Sequence, residues 1–503
     1  MQVAYAQVAP QESLAQQIQQ LTDAMTRTQA QLEQSQRQLD EMRKQLSELQ
    51  RQMAESGASA NTQSPSGPSS ASPSSPQAGS ETASAAIRDI RERQAMQESQ
   101  IATQAQSKVE SESKYPIKVT GLLLLNGFVN TGAVDMAATP TVALPGAGST
   151  GATLRQTTLG IDARGPHLFG ARSYADLRVD FDGNPASNSS TTTYSGYYDT
   201  NTTLLRLRTA HAGLQWKHTE AYFSLDHPIF SPDTPTSLTS VAIPALAWSG
   251  NLWTWNPQVG INQDFGAPDS VGIRIQAALI DVGNAPLSPP RASGTAAISA
   301  PTSSEQSRWP GVEARIALRG PAVSSNRNRS HLGIGGYFAP HYSTALGHGY
   351  NSWAGTLDAR LLLPARLELT GSFYRGQALG GLGAGTYKDF VYRAYRGSGE
   401  YYFRPLDDVG GWLQLKEKVS ERLEFNTAFG IDNAFAKEVR RYAVPGGTTY
   451  QNLFRNITYI GNVIYSPSAY LQLSLEYRHL GSSTVTSLPA SSNIIGLGAG
   501  YTF

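Results

Sequence analysis

Arginines and aspartates at alternate positions are the residues of this chain best suited to binding charged molecules. Arg206 and Arg208 lie two positions apart, so in an extended strand their side chains share one face. Guanidinium groups bind anions, but carboxylates on a neighbouring strand, such as Asp176 and Asp180, would pair with them instead. Two interpretations therefore stay open, an anion site and an internal ladder of ion pairs. The side chains predicted to face one interior are Arg178, Arg206, Arg208, Arg274, Arg360, Asp176 and Asp180.

Residues for catalysis or metal binding are scarce by comparison. The chain has no cysteine, which excludes disulfides and thiolate metal sites. Its eight histidines are scattered, and neither His211 nor His227 accompanies a nucleophile elbow or a paired acid. We predict no catalytic residue, no metal and no cofactor, so the chain is not expected to be an enzyme.

The elements that would position these charges are β-strands, because apolar and polar residues alternate over most of the chain. At the C-terminal end, one face would carry Ile495, Leu497, Ala499, Tyr501 and Phe503, and the other would carry mainly glycine. Mean hydropathy is −0.32, and no run of about 18 apolar residues predicts a membrane-spanning helix. A barrel strand needs only about 10 residues with apolar side chains on alternate positions. The alternation therefore suits a transmembrane sheet with one face in lipid.

Sixteen segments from residue 115 onward fit this pattern. Eight long connections, among them 131–151, 342–349 and 480–492, alternate with mostly short ones. Barrels whose long loops lie outside and whose tight turns face the periplasm show this alternation. It predicts an all-β transmembrane barrel of about 16 antiparallel strands over residues 115–503. The segments are 117–130, 152–163, 171–181, 203–215, 218–226, 252–264, 270–281, 308–319, 330–341, 350–363, 365–376, 410–418, 421–432, 452–465, 468–479 and 493–503.

The third long connection, Asp226 to Gly250, is the candidate constriction of such a barrel. It contains several prolines and is apolar from Val241 to Trp248. A loop this apolar is poorly suited to water, so we expect it to fold into the barrel. Packing on a neighbouring subunit is the alternative. The candidate constriction residues are Pro228, Phe230, Pro232 and Trp248.

Three segments precede the predicted barrel. Residues 1–10 are interpreted as a signal-peptide remnant or a disordered start, because Ala4-Tyr5-Ala6 is similar to a cleavage site. Residues 11–55 carry a seven-residue apolar repeat that predicts an α-helical coiled coil, with a single helix packed on the barrel as the alternative. Residues 56–114 form a Ser/Pro-rich linker with a short helical segment. The repeat places Ile18, Met25, Leu32, Leu39, Leu46 and Met53 at a, and Leu14, Leu21, Thr28, Ser35, Met42 and Leu49 at d.

With this plan, the sequence resembles the DcaP-like trimeric porins of Gram-negative bacteria. The resemblance rests on the order of coiled coil, linker and barrel, and on the stretches LLRLRTAHAGL (204–214) and FSP (230–232). These stretches are similar to that family's arginine-bearing fourth strand and to the segment leading into its constriction loop. The resemblance implies a homotrimer and passage of small anionic solutes.

We therefore expect an outer-membrane porin for the diffusion of small hydrophilic, anionic solutes, with the coiled coil in the periplasm. Beyond residue 114, basic residues slightly outnumber acidic ones, which supports at most a mild anion preference. The expected partners are outer-membrane lipid, further copies of the chain through the coiled coil and barrel wall, and the barrel assembly machinery through Phe503. Nucleic acid is not expected. Two alternatives remain: a structural tether or adhesin anchored by the barrel, and an outer-membrane barrel lipase.

Overall fold

The computed structural model describes residues 117–183, 204–267, 270–287, 301–321, 329–344, 346–394 and 401–503, together with Lys44. Apart from Lys44, the predicted signal remnant, coiled coil and linker lie outside the described residues. The described strands all belong to one compact unit, Tyr115–Phe503. No helix in the described part of the chain is long and apolar enough to cross a bilayer.

β-strands make up most of the described chain, and three short α-helices and two single-turn 3₁₀ helices, Gly380–Leu382 and Gly385–Tyr387, lie in the connections. The α-helices are α1 (Ser303–Ser307), α2 (Ala436–Arg441) and α3 (Thr449–Asn452). The strands are β1 (Ile117–Val134), β2 (Ala143–Thr153), β3 (Thr158–Leu168), β4 (Ala171–Gly183), β5 (Leu204–Gln215), β6 (Thr219–Asp226), β7 (Asn256–Phe265), β8 (Gly272–Ile280), β9 (Gly311–Arg319), β10 (His331–Ser343), β11 (His348–Leu363), β12 (Leu367–Gln377), β13 (Phe390–Ala394), β14 (Tyr401–Pro405), β15 (Asp407–Lys418), β16 (Leu423–Ala434), β17 (Leu453–Tyr465), β18 (Leu471–Thr484) and β19 (Ala490–Thr502).

The sheet closes on itself because β1 pairs with strands on both of its sides. On one side it pairs antiparallel with β19, and on the other its two halves pair with β2 and β3. β2 and β3 are therefore two halves of one barrel strand, interrupted at 154–157, and the 17 paired segments form a barrel of 16 strands. β13 and β14 make a separate hairpin between β12 and β15. The predicted closed antiparallel barrel of about 16 strands is confirmed.

The seam of the barrel is completed by Phe503. The Gly121 N–H donates to the Phe503 carbonyl over 2.9 Å, and the Phe503 N–H donates to the Gly121 carbonyl over 3.0 Å. The Phe503 ring lies over Gly121, where an added Cβ would collide with it. Glycine at this position therefore lets the last aromatic ring pack flat on β1.

Alternation sorts the side chains into an apolar outer face and a mainly polar inner face. On β19, Ile495, Leu497 and Tyr501 point outward and are 47%, 57% and 51% exposed. An apolar belt of this extent is stable when hydrocarbon rather than water surrounds it. Apolar residues exposed on other strands include Val129, Phe223, Ile261, Ile275, Leu318, Ile334, Leu357, Phe373, Leu413 and Leu475.

Aromatic residues divide between the rims and the interior. Tyr465 and Tyr470 are exposed at the turn side, where an interfacial girdle is expected. Trp253, Tyr350 and Trp412, by contrast, are buried. Strand parity turns Tyr350 and Trp412 inward, and Trp253 lies on a connection that enters the barrel.

Several strands extend further towards the long connections than the alternation predicted. β1 continues to Val134, β11 begins at His348 and β18 continues to Thr484. The connections expected at 131–151, 342–349 and 480–492 therefore shorten to 135–142, 344–347 and 485–489. The prediction of long loops was wrong at these three positions, because small and polar residues continue the backbone ladder beyond the apolar belt.

Candidate functional site

The connection between β6 and β7, residues 227–255, crosses the interior of the barrel and is here called the inserted loop. Phe230 is 0% exposed and Trp248 is 4% exposed, so both are packed inside. Pro228 is also buried, whereas Pro232 is exposed. The four candidate constriction residues thus lie on one segment within the barrel, and its apolar second half is removed from water.

The inserted loop is first fixed to β9, β10 and β11. The Ile229 N–H donates to Glu313 Oε2 over 2.9 Å, and Thr356 Oγ1 donates to the Phe230 carbonyl over 2.9 Å. Gly335 provides the space for Phe230, since an added Cβ would lie 2.5 Å from the Phe230 Cβ. Backbone contacts and a notch in the wall together set where the loop begins its crossing.

The loop then reaches the opposite wall, formed by β15 to β18. The Thr236 N–H donates to Gln414 Oε1 over 2.7 Å, and Asn462 Nδ2 donates to the Thr236 carbonyl over 3.0 Å. Ser237 Oγ donates to Glu476 Oε2 over 2.6 Å. These inward polar side chains satisfy loop groups that water would otherwise have to solvate.

The glycine face of β19 receives the next loop residues. A Cβ added at Gly498 would lie 3.3 Å from the Leu238 side chain, and one added at Gly496 would lie 3.0 Å from the Thr239 side chain. The small face predicted for the C-terminal strand therefore points inward, and the inserted loop packs on it.

Gln156 holds the middle of the inserted loop from the break between β2 and β3. It is 0% exposed, and its Nε2 donates to the Thr239 carbonyl over 3.0 Å. Its Oε1 accepts the N–H groups of Val241 and Ala242 over 2.7 and 3.1 Å. One side chain thus makes three hydrogen bonds to loop backbone.

The last part of the loop returns to the β17 wall. Asn456 Nδ2 donates to the Trp248 carbonyl over 3.1 Å, and Ser249 Oγ lies 2.8 Å from Thr458 Oγ1. The Trp248 ring stacks on Tyr387 with ring centroids 3.9 Å apart. Tyr387 belongs to a second segment that enters the barrel.

That second segment, residues 378–394, lies between two of the predicted strands and is buried from 378 to 391. Lys388 is 1% exposed, and its Nζ donates to the carbonyls of Thr386, Tyr450 and Leu453 over 2.8 to 2.9 Å. Burial lowers the pKa of the Lys388 ammonium to about 7. Burial also raises the pKa of the neighbouring Asp389 carboxyl to about 6. Both shifts follow from removing charge from water.

The structure brings Arg206, Arg208 and Asp180 together beside the inserted loop. Arg206 pairs with Asp180 through two hydrogen bonds of 3.0 and 2.7 Å, and Arg208 Nε lies 3.6 Å from Asp180 Oδ2. Both guanidiniums lie over the Trp255 ring, 5.3 and 5.1 Å from its centroid. Arg206 also donates to the Ala242 carbonyl over 2.7 Å. A single carboxylate therefore holds two guanidiniums against the loop.

The remaining candidate arginines each face a carboxylate that the sequence analysis did not name. The pairs are Arg178 with Asp162 at 2.5 Å, Arg274 with Asp264 at 2.7 Å, and Arg360 with Asp233 at 2.6 Å. Asp176 lies opposite His211 in the register of β4 and β5. The geometry favours the ladder of ion pairs over a free anion site, and it places each arginine in a different part of the wall.

A row of polar groups across β6 to β11, buried at Arg315 and Asp358 and half-buried at Gln276 and Glu220, was missed. Arg315 binds Asp358 over 2.8 Å and donates to Gln276 over 2.8 Å. Gln276 donates to Asn262 over 3.0 Å, and Asn262 donates to Glu220 over 2.8 Å. The alternation along β9, where Glu313 and Arg315 separate apolar residues, is the signal that would have found its centre.

Asp233, His331 and Asp358 form the group of described residues whose ligand atoms lie close enough for a metal ion, within 4.8 Å of one another. Arg360 and Arg315 already pair with the two carboxylates, at 2.6 and 2.5 Å. A cation would compete with two guanidiniums, so the donors present suit an ion-pair cluster that anchors Asp233 of the inserted loop.

A cavity of about 1150 Å³ lies on the turn side of the inserted loop. Thr236 to Leu238 line it from the loop, and Glu368, Lys416 and Glu424 line it from the wall. Lys416 Nζ is 3.7 Å from Glu424 Oε1. The interior therefore opens towards the turns as a water-accessible vestibule with charges of both signs.

No family model matches the sequence, and no curated protein matches it. Among solved structures, the outer membrane channel DcaP of Acinetobacter baumannii is similar over 78% of this chain and 99% of that chain, at 15% identity and a TM-score of 0.53. OprB of Pseudomonas putida covers 79% of this chain and 96% of its own, at 11% identity and a TM-score of 0.46. OmpF of Salmonella typhi covers 78% and 98%, at 10% identity and a TM-score of 0.45. The likeness to DcaP confirms the predicted resemblance at the level of fold, which is that of an outer-membrane channel.

Proposed function

We propose that this chain is an outer-membrane porin through which small hydrophilic solutes diffuse. The observation that carries the proposal is the set of partly exposed ion pairs along the inner face of β3 to β8. The side chains of Arg178, Arg206 and Arg274 are 36%, 26% and 33% exposed there. Charges that remain hydrated inside a barrel with an apolar outer belt are suited to a water-filled passage.

A weak preference for anions is part of the proposal. Asp180 is 0% exposed, whereas the guanidiniums that it pairs with, Arg206 and Arg208, are 26% and 16% exposed. Asp233 is 4% exposed behind Arg360, which is 22% exposed. Because these two carboxylates lie behind their guanidiniums, a passing solute would meet the positive groups of these two clusters first.

The proposal places the barrel in the bacterial outer membrane and the predicted coiled coil in the periplasm. It includes a homotrimer formed through the coiled coil and the barrel wall, and recognition of Phe503 by the barrel assembly machinery. A lipase is not proposed, because His211 Nε2 contacts the Tyr174 hydroxyl over 2.8 Å and its ring also lies against Tyr222.

Conductance across a planar bilayer tests the porin. Purified protein should insert in discrete steps of ion current, and a chain that inserts without current would instead favour the tether or adhesin. In asymmetric salt, the double variant R206S/R208S should shift the reversal potential towards cation preference. K217S/R308S, at two exposed positions between strands, carries the same change of two charges as the matched control and should leave the reversal potential unchanged.

A further inference from the structure

A groove of about 700 Å³ lies on the outward face of β7 to β10. Its floor is a row of small cross-strand partners, Ala277, Ala314 and Gly336, and the row continues to Gly355 on β11. A Cβ added at Gly355 would meet nothing within 4 Å, so the row is open to the outside. The groove is bordered by long apolar side chains that are about half exposed: Val259, Ile261, Leu279, Val312 and Phe338.

The row of small residues leads to a guanidinium. Arg375 is the cross-strand partner of Gly355 and lies two residues from the loop-side end of β12. Its guanidinium lies 5.5 Å from the Trp353 ring and 4.7 Å from the Phe435 ring, and its side chain is 36% exposed. Aromatic rings at strand ends mark the headgroup level of a bilayer. The guanidinium is therefore held where lipid phosphates lie.

Positive charge exceeds negative charge around Arg375. Arg404 is 48% exposed beside it, whereas the carboxylates that they contact, Asp407 and Glu438, are 17% and 9% exposed. Helix α2 adds three exposed basic side chains: Lys437, Arg440 and Arg441. The accessible surface of this rim is thus basic, which suits a phosphate.

We propose that a phosphate-bearing membrane lipid binds this face, with an acyl chain in the groove and its phosphate on Arg375. The groove gives the acyl chain more contact than a flat wall would. The guanidinium offers N–H donors to phosphate oxygens in addition to those used by Asp407. The site is on the outer wall, so the inference does not depend on whether the lumen conducts.

Native mass spectrometry of the purified full chain tests this site, with phosphatidylglycerol and diacylglycerol of equal chain length as probes. Wild-type protein should retain phosphatidylglycerol about fivefold better than diacylglycerol, because only phosphatidylglycerol carries a phosphate that can accept a charge-assisted hydrogen bond from Arg375. R375Q should make the retention of the two lipids equal. G355L should lower the retention of both lipids.

G461L is the matched control, because Gly461 also faces outward and an added Cβ there meets nothing within 4 Å. It should bind both lipids as the wild type does. Equal retention of the two lipids by wild-type protein would overturn the phosphate contact, and equal behaviour of G355L and G461L would overturn the groove. Displacement of the lipid by inorganic phosphate at the same concentration would also overturn the groove. If R375Q does not fold, the comparison of the two lipids on wild-type protein and the comparison of G355L with G461L still test the proposal.

Discussion

Ion pairs of the same kind differ in solvent exposure between two parts of the inner wall of the barrel. On β3 to β8, Arg178 and Asp162 are 36% and 39% exposed. On β9 to β19, Arg315 and Asp358 are 5% and 0% exposed, and Arg478 and Glu476 are 7% and 2% exposed. The inserted loop contacts the β15 to β18 wall through Gln414, Glu476 and Asn462, whereas on β5 it is held through Arg206.

The difference shows that residue type alone does not decide whether a lumen charge acts on a solute. A pair covered by a loop is desolvated, and its main effect is to hold that loop in place. An ion pair that the loop leaves exposed can still act electrostatically on charged molecules inside the barrel. The inserted loop therefore desolvates some ion pairs of the wall, such as Arg315 with Asp358, and leaves others, such as Arg178 with Asp162, partly exposed.

Shortening the inserted loop should have the largest effect. Replacing Thr239–Trp248 with a four-residue Gly-Ser linker removes the bonds to Gln156 and the stack on Tyr387. Single-channel conductance should rise by about threefold or more, because an uncovered barrel of this strand number is wide. A control that replaces 485–488 at the rim should stay near wild type. Unchanged conductance of the loop variant would mean that the loop does not narrow the passage.

Two substitutions with the same charge change should separate the two walls. D180N releases Arg206 and Arg208, whose side chains are 26% and 16% exposed, and it should increase anion over cation permeability by about twofold. E476Q weakens the contacts with Ser237, Asn462 and Arg478 on the covered side. It should leave permeability unchanged but lower stability by about 1.5–3 kcal/mol, the usual range for a hydrogen bond to a charged group. Permeability is measured from reversal potentials. Stability is measured from the temperature at which heated samples migrate as unfolded protein on SDS gels. Similar selectivity shifts in both variants would contradict the difference between covered and exposed pairs.

The smallest expected effect is a pH dependence of the 378–394 segment. The pKa of Lys388 is about 7 in the folded barrel and near 10.5 when exposed. Between these values the open segment binds more protons than the packed one, so packing is strengthened as the pH rises from 7 to 10.5 and is weakest below 7. Amide hydrogen exchange in the segment, corrected for intrinsic rate, should slow by up to about tenfold per pH unit in that window. K388M should show no such slowing of exchange. If exchange still slowed with pH in K388M, the pH dependence would belong to another titratable group.

The strands could be predicted from the sequence because each one carries its own alternation. The apolar row Ile495, Leu497 and Tyr501 indicates the outward face of β19 without any knowledge of the neighbouring strands. The candidate arginines were found by the same rule, and Arg315 and Arg478 would have been found by applying it to β9 and β18.

The partners of those arginines could not be predicted in the same way. Asp264 and Arg274 meet across one hairpin, so register would give that pair. Asp233 reaches Arg360 only because the inserted loop crosses the lumen, a path set by long-range contacts. The Lys388 ammonium donates mainly to backbone carbonyls. Every residue has a backbone carbonyl, so the residue types around it could not indicate this contact.

Gln156 hydrogen-bonds only to backbone peptide groups of the inserted loop. Side chains at 239, 241 and 242 are not what it recognises, so its three hydrogen bonds do not depend on which residues stand at these positions. The position of the loop backbone inside the barrel is thereby fixed by one amide side chain that lies more than 80 residues earlier in the chain, and this anchor would survive a change of residue type at the positions it holds.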